Sequence, residues 1–281
     1  MRRVQTIAEL RAAIAEARGR GQRIGFVPTM GYLHEGHLSL IDHVRRHCDF
    51  TVLSIFVNPL QFGPREDLAA YPRDFDRDAA LAEARGTDLI FHPDAHEMYP
   101  AGPPRVTLVA PELSDHLCGR YRSGHFEGVL TVVAKLFNLV QPDVAVFGQK
   151  DFQQSVIVRS MVRDLDFPIR IEVAPIVRES DGLAMSSRNV YLDADQRTRA
   201  LALHRGLRAA VRAFEAGQRD ATMLLDAIHT EINSTPGVEL QYANLVDPET
   251  LEDRPQARSG DVLAVAAFLG KTRLIDNEIL P

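Results

Sequence analysis

The sequence predicts an α/β fold: a parallel sheet with helices on both faces, followed by a smaller α+β domain at the C-terminal end. Three observations carry this expectation. Short apolar runs alternate with longer amphipathic stretches through residue 174. Polar segments follow three of those runs directly, where ligands bind in parallel sheets. Beyond Pro168 the order changes, with helical spacing first and β-like runs after it.

Taken in order, Thr6-Ile7-Ala8-Glu9 is a capping-box start, because the threonine hydroxyl and the glutamate can each satisfy a free N–H of the first turn. Ile7, Leu10, Ile14 and Ala17 then keep helical spacing to Gly19. Strand-like runs come at Ile24–Val27, Phe50–Val57, Asp88–Phe91 and Asp143–Phe147, separated by helix-like stretches at Gly36–His47, Phe75–Arg85 and Phe126–Val140. The strands are apolar without alternation, as expected when both faces of a sheet are covered. In the last helix Val129, Val132, Val133, Leu136, Phe137 and Val140 form a stripe that reads as core packing rather than ligand contact. Ile169–Ala174 reads as one more strand. After the loop Glu179–Arg188, helices are expected at Ala194–Gly217 and Ala221–Asn233, then β-like runs at Glu239–Val246, Asp261–Phe268 and Thr272–Asn277. The expected domains are residues 1–174 and 175–281.

Composition narrows the function classes. A chain of 281 residues has room for two domains, and 45% hydrophobic with 25% charged residues argues against extended disorder. Net charge is −6 and no basic cluster exceeds Arg45-Arg46, which argues against a nucleic-acid partner. Two cysteines, Cys48 and Cys118, give neither a disulfide framework nor a paired metal spacing. No apolar run approaches the roughly 18 residues of a membrane span, and the N-terminus lacks the apolar core of a signal peptide. A cytoplasmic protein without membrane contact is expected.

The chemistry-bearing residues begin with His34 and His37, in the stretch Gly25–Leu38 between a strand and a helix. A helix N-terminus presents free N–H groups and the positive end of the dipole, so it favours phosphate, and imidazoles three residues apart can share one face there. A zinc pair is the competing reading, but no third ligand lies nearby. Pro93 between His92 and His96 argues for a turn, and both read as surface residues. Gly148-Gln149-Lys150-Asp151 follows a strand and precedes a helix, so its lysine can reach phosphates as a mobile charge; a solvated turn lysine is the plain alternative. Gln153 and Gln154 suit a hydroxyl-bearing acid. Met185-Ser186-Ser187-Arg188 offers hydroxyls and a guanidinium for a departing pyrophosphate, although Ser-Ser-Arg is also an ordinary loop. Asn58–Phe62 mixes amides with apolar side chains, fitting a small branched substrate or a structural turn.

Together, Pro28–His37, Phe56–Phe62, Gly124–Gln154 and Pro175–Arg188, with the closing Arg273–Asn277, resemble the pantoate–β-alanine ligase family. Single motifs are shared with other nucleotidyltransferases and class I aminoacyl-tRNA synthetases, whereas Gly124-His125-Phe126-Glu127-Gly128 combined with Gly148–Gln154 is more specific to the family. The resemblance implies a Rossmann-like ATP domain, a smaller lid domain, a homodimer and a magnesium-dependent ligation. ATP and (R)-pantoate would give pantoyl adenylate and pyrophosphate; β-alanine would then displace AMP to form pantothenate. Carried over by residue, the ATP site would comprise Met30, Gly31, Tyr32, Leu33, His34, Glu35, Gly36 and His37, then Gly148, Gln149, Lys150, Asp151, Val177, Met185, Ser186, Ser187 and Arg188. His37, His34, Lys150 and Arg188 would be catalytic, His37 matching the histidine usually given as proton donor. Gln61 would serve both pantoate and β-alanine, and Gln154 would be a second pantoate contact. Gln149 stands where some relatives carry an acidic residue, and Arg188 takes the place of a lysine in the synthetases' mobile loop. Asp151 and Asp74–Asp78 are conceivable magnesium contacts, with no ligand set assigned; Asn58 and Tyr71 are further candidates for the pantoate pocket. Two other readings stay open: an adenylyltransferase, suggested by His34 and His37 alone, and a non-catalytic nucleotide-binding regulator, against which intact Lys150 and Arg188 speak.

Overall fold

In the computed structural model, which describes residues 1–64 and 66–281, six strands build a wholly parallel sheet. They are β1 (Arg2–Val4), β2 (Ile24–Thr29), β3 (Phe50–Ile55), β4 (Leu89–Phe91), β5 (Val144–Gly148) and β6 (Arg170–Ala174), in spatial order β1-β4-β3-β2-β5-β6. Five of the six match the expected runs. The edge strand β1 is an addition to them: it is three residues long, and only Val4 is buried.

Parallel strands need crossovers, and helices supply them: α1 (Ile7–Gly19), α2 (Glu35–Arg45), α3 (Phe75–Ala84), α4 (Ala95–Met98), α5 (Pro111–Ser114), α6 (Leu117–Tyr121), α7 (His125–Val140) and α8 (Phe152–Asp164). Thr6 completes the expected capping box on α1. Alternation along each strand decides which helix covers which face. Val27, Leu53, Ile90, Val144 and Val146 pack with Leu38, Ile41 and Val44 of α2 and Ala79 and Ala82 of α3. Phe26 and Phe147 turn the other way, each meeting the α7 residue Phe137 edge-on at 6.4 Å. The stripe on α7 is core, as its spacing indicated: Val129, Val132, Val133, Leu136, Phe137 and Val140 are all buried.

The strand order has one reversal. From β2 the chain proceeds outward through β3 to β4, and from β5 outward to β6, so neighbouring β2 and β5 form the switch point. In open parallel sheets, ligands bind at such a point, outside the carboxyl ends of the strands.

After β6 come α9 (Ala194–Glu215) and α10 (Ala221–Asn233), then the antiparallel strands β7 (Val238–Val246), β8 (Val262–Leu269) and β9 (Thr272–Ile279) in that spatial order. Leu203, Leu207 and Val211 of α9, Leu224 and Ile228 of α10, and Leu263 and Val265 of β8 share one apolar core. The chain divides into two compact units. The first comprises Met1–Pro111, Arg122–Gly148 and Ile157–Pro175; the second comprises Glu112–Tyr121, Gln149–Val156 and Ile176–Pro281. Two short stretches that a single cut at residue 175 would leave in the first unit thus group with the second. Among the described residues, no helix is long and apolar enough to cross a membrane.

Candidate active site

At the carboxyl end of β2 the loop Met30–His34 leads into the N-terminus of α2. Gly31 and Tyr32 both lie in the left-handed region, at φ +85° and +49°. For a tyrosine this costs about 1–2 kcal/mol, so something must hold it. Asp78 does so: its carboxylate, 1% exposed, accepts from the N–H of Tyr32 at 2.6 Å and of Leu33 at 2.7 Å. Burial pushes the Asp78 carboxyl up, against the pull of the two N–H groups and Arg77. A Cβ on Gly31 would come within 2.9 Å of the Ile55 side chain and 3.0 Å of Asp78, so a side chain there is excluded by space as well as by backbone conformation.

His34 is the N-cap of α2, and the two imidazoles lie 4.0 Å apart, as their i, i+3 spacing requires. His37 Nδ1 accepts from the His34 backbone N–H at 3.4 Å. In the neutral ring the proton therefore sits on Nε2, which makes His37 a donor on its other edge. Glu35 contributes backbone rather than charge, since its carboxylate is taken by Arg85 at 2.5 and 2.6 Å.

Gln61 ends the single turn Pro59–Gln61 after β3 and is buried. Its Oε1 accepts from Asn58 Nδ2 at 3.2 Å, and its Nε2 faces Met30 Sδ at 3.2 Å. Asn58, 1% exposed, also donates to the Gly128 carbonyl at 3.1 Å, while its Oδ1 accepts from the Tyr99 hydroxyl at 2.9 Å and the Leu60 N–H at 3.4 Å. Every hydrogen-bonding position on this amide is occupied, so Asn58 orients Gln61 instead of lining the pocket with free groups. Burial raises the Tyr99 hydroxyl well above its ordinary value, keeping it a donor. Gly128 explains part of the Gly124–Gly128 motif: a Cβ would lie 2.4 Å from the Leu60 carbonyl oxygen, so only glycine lets α7 approach this turn. His125 of the same motif places Nδ1 2.8 Å from the Gln61 carbonyl and Nε2 2.9 Å from Arg122, which grips Glu66 through two 2.7 Å bonds. Tyr71 is buried, edge-on to Phe62 at 5.9 Å.

Gly148 ends β5, next to β2 in the sheet. The single turn Gln149–Asp151, the start of α8 and the loop after β6 belong to the second unit. Lys150 Nζ lies 3.7 Å from the Asp151 carboxylate. Val177 accepts the Met185 N–H at 3.0 Å, closing a hairpin through the Arg178–Ala184 bridge. Ser186 caps the following turn, its Oγ accepting the Arg188 N–H at 3.2 Å, and Ser187 is buried. Asn189 holds the loop from inside, donating to Glu179 at 2.9 Å and the Ala184 carbonyl at 3.2 Å.

Three expectations are corrected. Gln153 is not a substrate group: buried, it donates to the Leu113 and His116 carbonyls at 2.9 and 2.8 Å, whereas Gln154 beside it is half-buried. His92 is half-buried rather than freely exposed, for its Nδ1 lies 2.7 Å from the Ile55 carbonyl and its ring stacks on Phe75; His96 is exposed. The stretch Asp74–Asp78 does not fit a magnesium site. Asp78 holds the loop, Asp74 caps α3, and the described residues contain no group of three or more acidic, histidine or cysteine side chains able to hold a metal ion. Sequence reasoning missed Arg122, Tyr99 and Asp78 as site-building residues. Only the glycine-bracketed His125 motif gave a signal, and it pointed to Gln61 through Gly128.

The Met30–His37 loop and Gln61 thus lie on one sheet, at the carboxyl ends of adjacent strands, while Gln149–Asp151, Gln154, Val177 and Met185–Arg188 lie in the second unit. A family profile described as pantoate–β-alanine ligase matches residues 2–279. Pantothenate synthetase 1 of Bradyrhizobium diazoefficiens is 56% identical, covering 100% of this chain and 98% of that protein. Among solved structures, the pantothenate synthetase of Thermus thermophilus superposes with a TM-score of 0.94 at 48% identity over 100% of both chains. The pantoate–β-alanine ligase of Francisella tularensis, solved in complex with beta-gamma ATP and β-alanine, gives 0.84 at 33% identity, covering 99% of this chain and 97% of that one. The chain belongs to the pantoate–β-alanine ligase family.

Proposed function

We propose that this protein joins (R)-pantoate to β-alanine with ATP, through a pantoyl-adenylate intermediate. The observation that carries the reading is the His34–His37 helix end at the β2–β5 switch point, with the oriented amide of Gln61 against Met30. The pantoate carboxylate attacks the α-phosphorus and pyrophosphate leaves with the electron pair of the broken P–O bond. The β-alanine amine then attacks the acyl carbonyl, the C–O bond to AMP breaks, and one amine proton is lost.

The residues fit roles in that sequence. Negative charge grows on the α-phosphate and on the leaving pyrophosphate, and donors fixed in advance stabilise it without reorganising. His34, His37 Nε2 and the N-terminal N–H groups of α2 supply such donors at the α-phosphate. From the second unit we assign Lys150, Ser186, Ser187 and Arg188 to the departing pyrophosphate, with the backbone of Gln149–Asp151, Val177 and Met185 as nucleotide contacts. The backbone of Gly148, at the end of β5 in the first unit, is assigned to the nucleotide as well. Gln61 Nε2 faces the Met30 thioether, a weak acceptor that a carboxylate or hydroxyl oxygen displaces with gain; that suits it to pantoate and then β-alanine. Gln154 is the second pantoate contact. Magnesium is proposed to arrive with the triphosphate, in keeping with its preference for substrate phosphates and water, and no step is routed through a protein-held ion. Proximity accounts for most of the second step.

Incubation with ATP, pantoate and β-alanine is expected to yield AMP and pyrophosphate in step with pantothenate. ADP would indicate phosphorylation instead, and no nucleotide turnover would contradict an enzymatic role. The family resemblance also supports a homodimer in the cytoplasm; sedimentation of the purified chain and cell fractionation test these two points.

A further inference from the structure

The closing strand β9 contributes no group to the reaction outlined above, yet it holds the turn that carries Lys150. Asn277 is 2% exposed. Its Nδ2 donates both hydrogens, one to the Gln149 carbonyl and one to the Lys150 carbonyl, each at 3.0 Å. Its Oδ1 accepts from Gln149 Nε2 at 3.2 Å, and its backbone N–H donates to the Asp276 carboxylate at 2.8 Å. Asp276 is itself fixed by Arg178, at 2.6 and 3.0 Å.

The two carbonyls held by Asn277 belong to the peptide planes on either side of the Lys150 Cα. Fixing both planes fixes the two backbone dihedrals of Lys150, and with them the direction in which its side chain leaves the backbone. A single turn of three residues cannot do this alone, because so short a segment has few internal hydrogen bonds. A flexible four-carbon stem gives its ammonium a useful address only when its root is fixed.

We propose that Asn277 is a positioning residue for Lys150, clamping the flanking peptides so that the ammonium is aimed at the nucleotide phosphates. This rests on the role given to Lys150 above, and the test separates the two. Pantoate-dependent exchange of labelled pyrophosphate into ATP is measured for the wild type, Lys150→Ala, Asn277→Asp and the double variant, with melting temperature as a control. Asn277→Asp keeps the shape but turns an oxygen toward the two carbonyls; Asn277→Ser, which keeps a shorter donor, is the alternative should the aspartate fail to fold. The expected result is a fall of about 10- to 100-fold in exchange rate for Asn277→Asp, with the ATP KM changed less than about threefold and less loss for the serine. In the Lys150→Ala background the same substitution is expected to cost less than about threefold, because there is no ammonium left to aim. An equal cost in both backgrounds, or none in the wild type, would overturn the proposal. Near wild-type exchange by Lys150→Ala would instead overturn the role of Lys150 itself.

Discussion

The loop Met30–His37 and the turn Gln149–Asp151 both follow a strand of the parallel sheet, but they are held in opposite ways. The first is held through its N–H groups by a buried carboxylate, Asp78, some 45 residues away on a helix of the same unit. The second is held through its carbonyls by a neutral amide, Asn277, 127 residues downstream of Lys150. A charged acceptor can impose strain, and it does so here on a tyrosine at positive φ. A neutral donor pair can orient a turn but gives less, since hydrogen bonds to charged groups are roughly twice as strong as neutral ones. The imidazole pair is therefore built rigid, whereas the lysine turn depends on a distant clamp.

The harshest test removes the group that the second support serves. Lys150→Ala is expected to lower turnover by about 10³-fold with the melting temperature nearly unchanged, because the role proposed for the lysine is mainly in the transition state. Steady-state kinetics would expose the assignment as wrong if the loss fell on KM alone.

Asp78→Asn strikes the first support. The new amide must point an N–H at either Tyr32 or Leu33, which already donate there. About 2–3 kcal/mol of stability should be lost in denaturant unfolding, and kcat/KM for ATP should fall about 100-fold. Unchanged stability would mean that the loop holds its own conformation, and the contrast between the two regions would dissolve.

Gln61→Ala probes the substrate side. Pantoate KM is expected to rise about tenfold with ATP KM retained, the pattern of lost substrate binding. A matched loss of both affinities would point to a structural role, reached through Asn58 and Tyr99.

The smallest effect is expected at Glu66. Burial alone would raise its carboxyl, but Arg122 and the Gly63 N–H outweigh burial and bring it from 4.5 to about 2. A carboxyl lowered on folding adds stability that is present above its ordinary value and is lost as pH falls toward about 2. Glu66→Gln should therefore flatten the acid side of the unfolding curve in that window and raise pantoate KM only about twofold, through the Arg122–His125–Gln61 chain. An unchanged acid limb would show that the ion pair does not form in solution.

Much of this was legible in the sequence for identifiable reasons. Buried parallel strands leave apolar runs, so β2 through β6 could be read directly, and the capping box of α1 announced its start. Strand β1 could not, because Arg2 and Arg3 are exposed and three residues carry no period. Asp78 looked like a metal contact because sequence shows its charge and not its partners, which are backbone N–H groups and leave no sequence trace. Asn58 was visible as a polar residue near Gln61, but its saturation by Gly128 and Tyr99 depends on contacts 70 and 41 residues away. Asn277 stood in a motif that marked the family without saying what it touches.

In the proposed reaction every later step depends on the first, in which a pantoate carboxylate would be activated on the α-phosphate of ATP at the imidazole-bearing end of α2. Exchange of labelled pyrophosphate into ATP, run without β-alanine, reports that step alone. The expected result is exchange that depends on pantoate and is largely lost in His37→Ala. Exchange that needs β-alanine, proceeds without pantoate, or survives undiminished in that variant would contradict it.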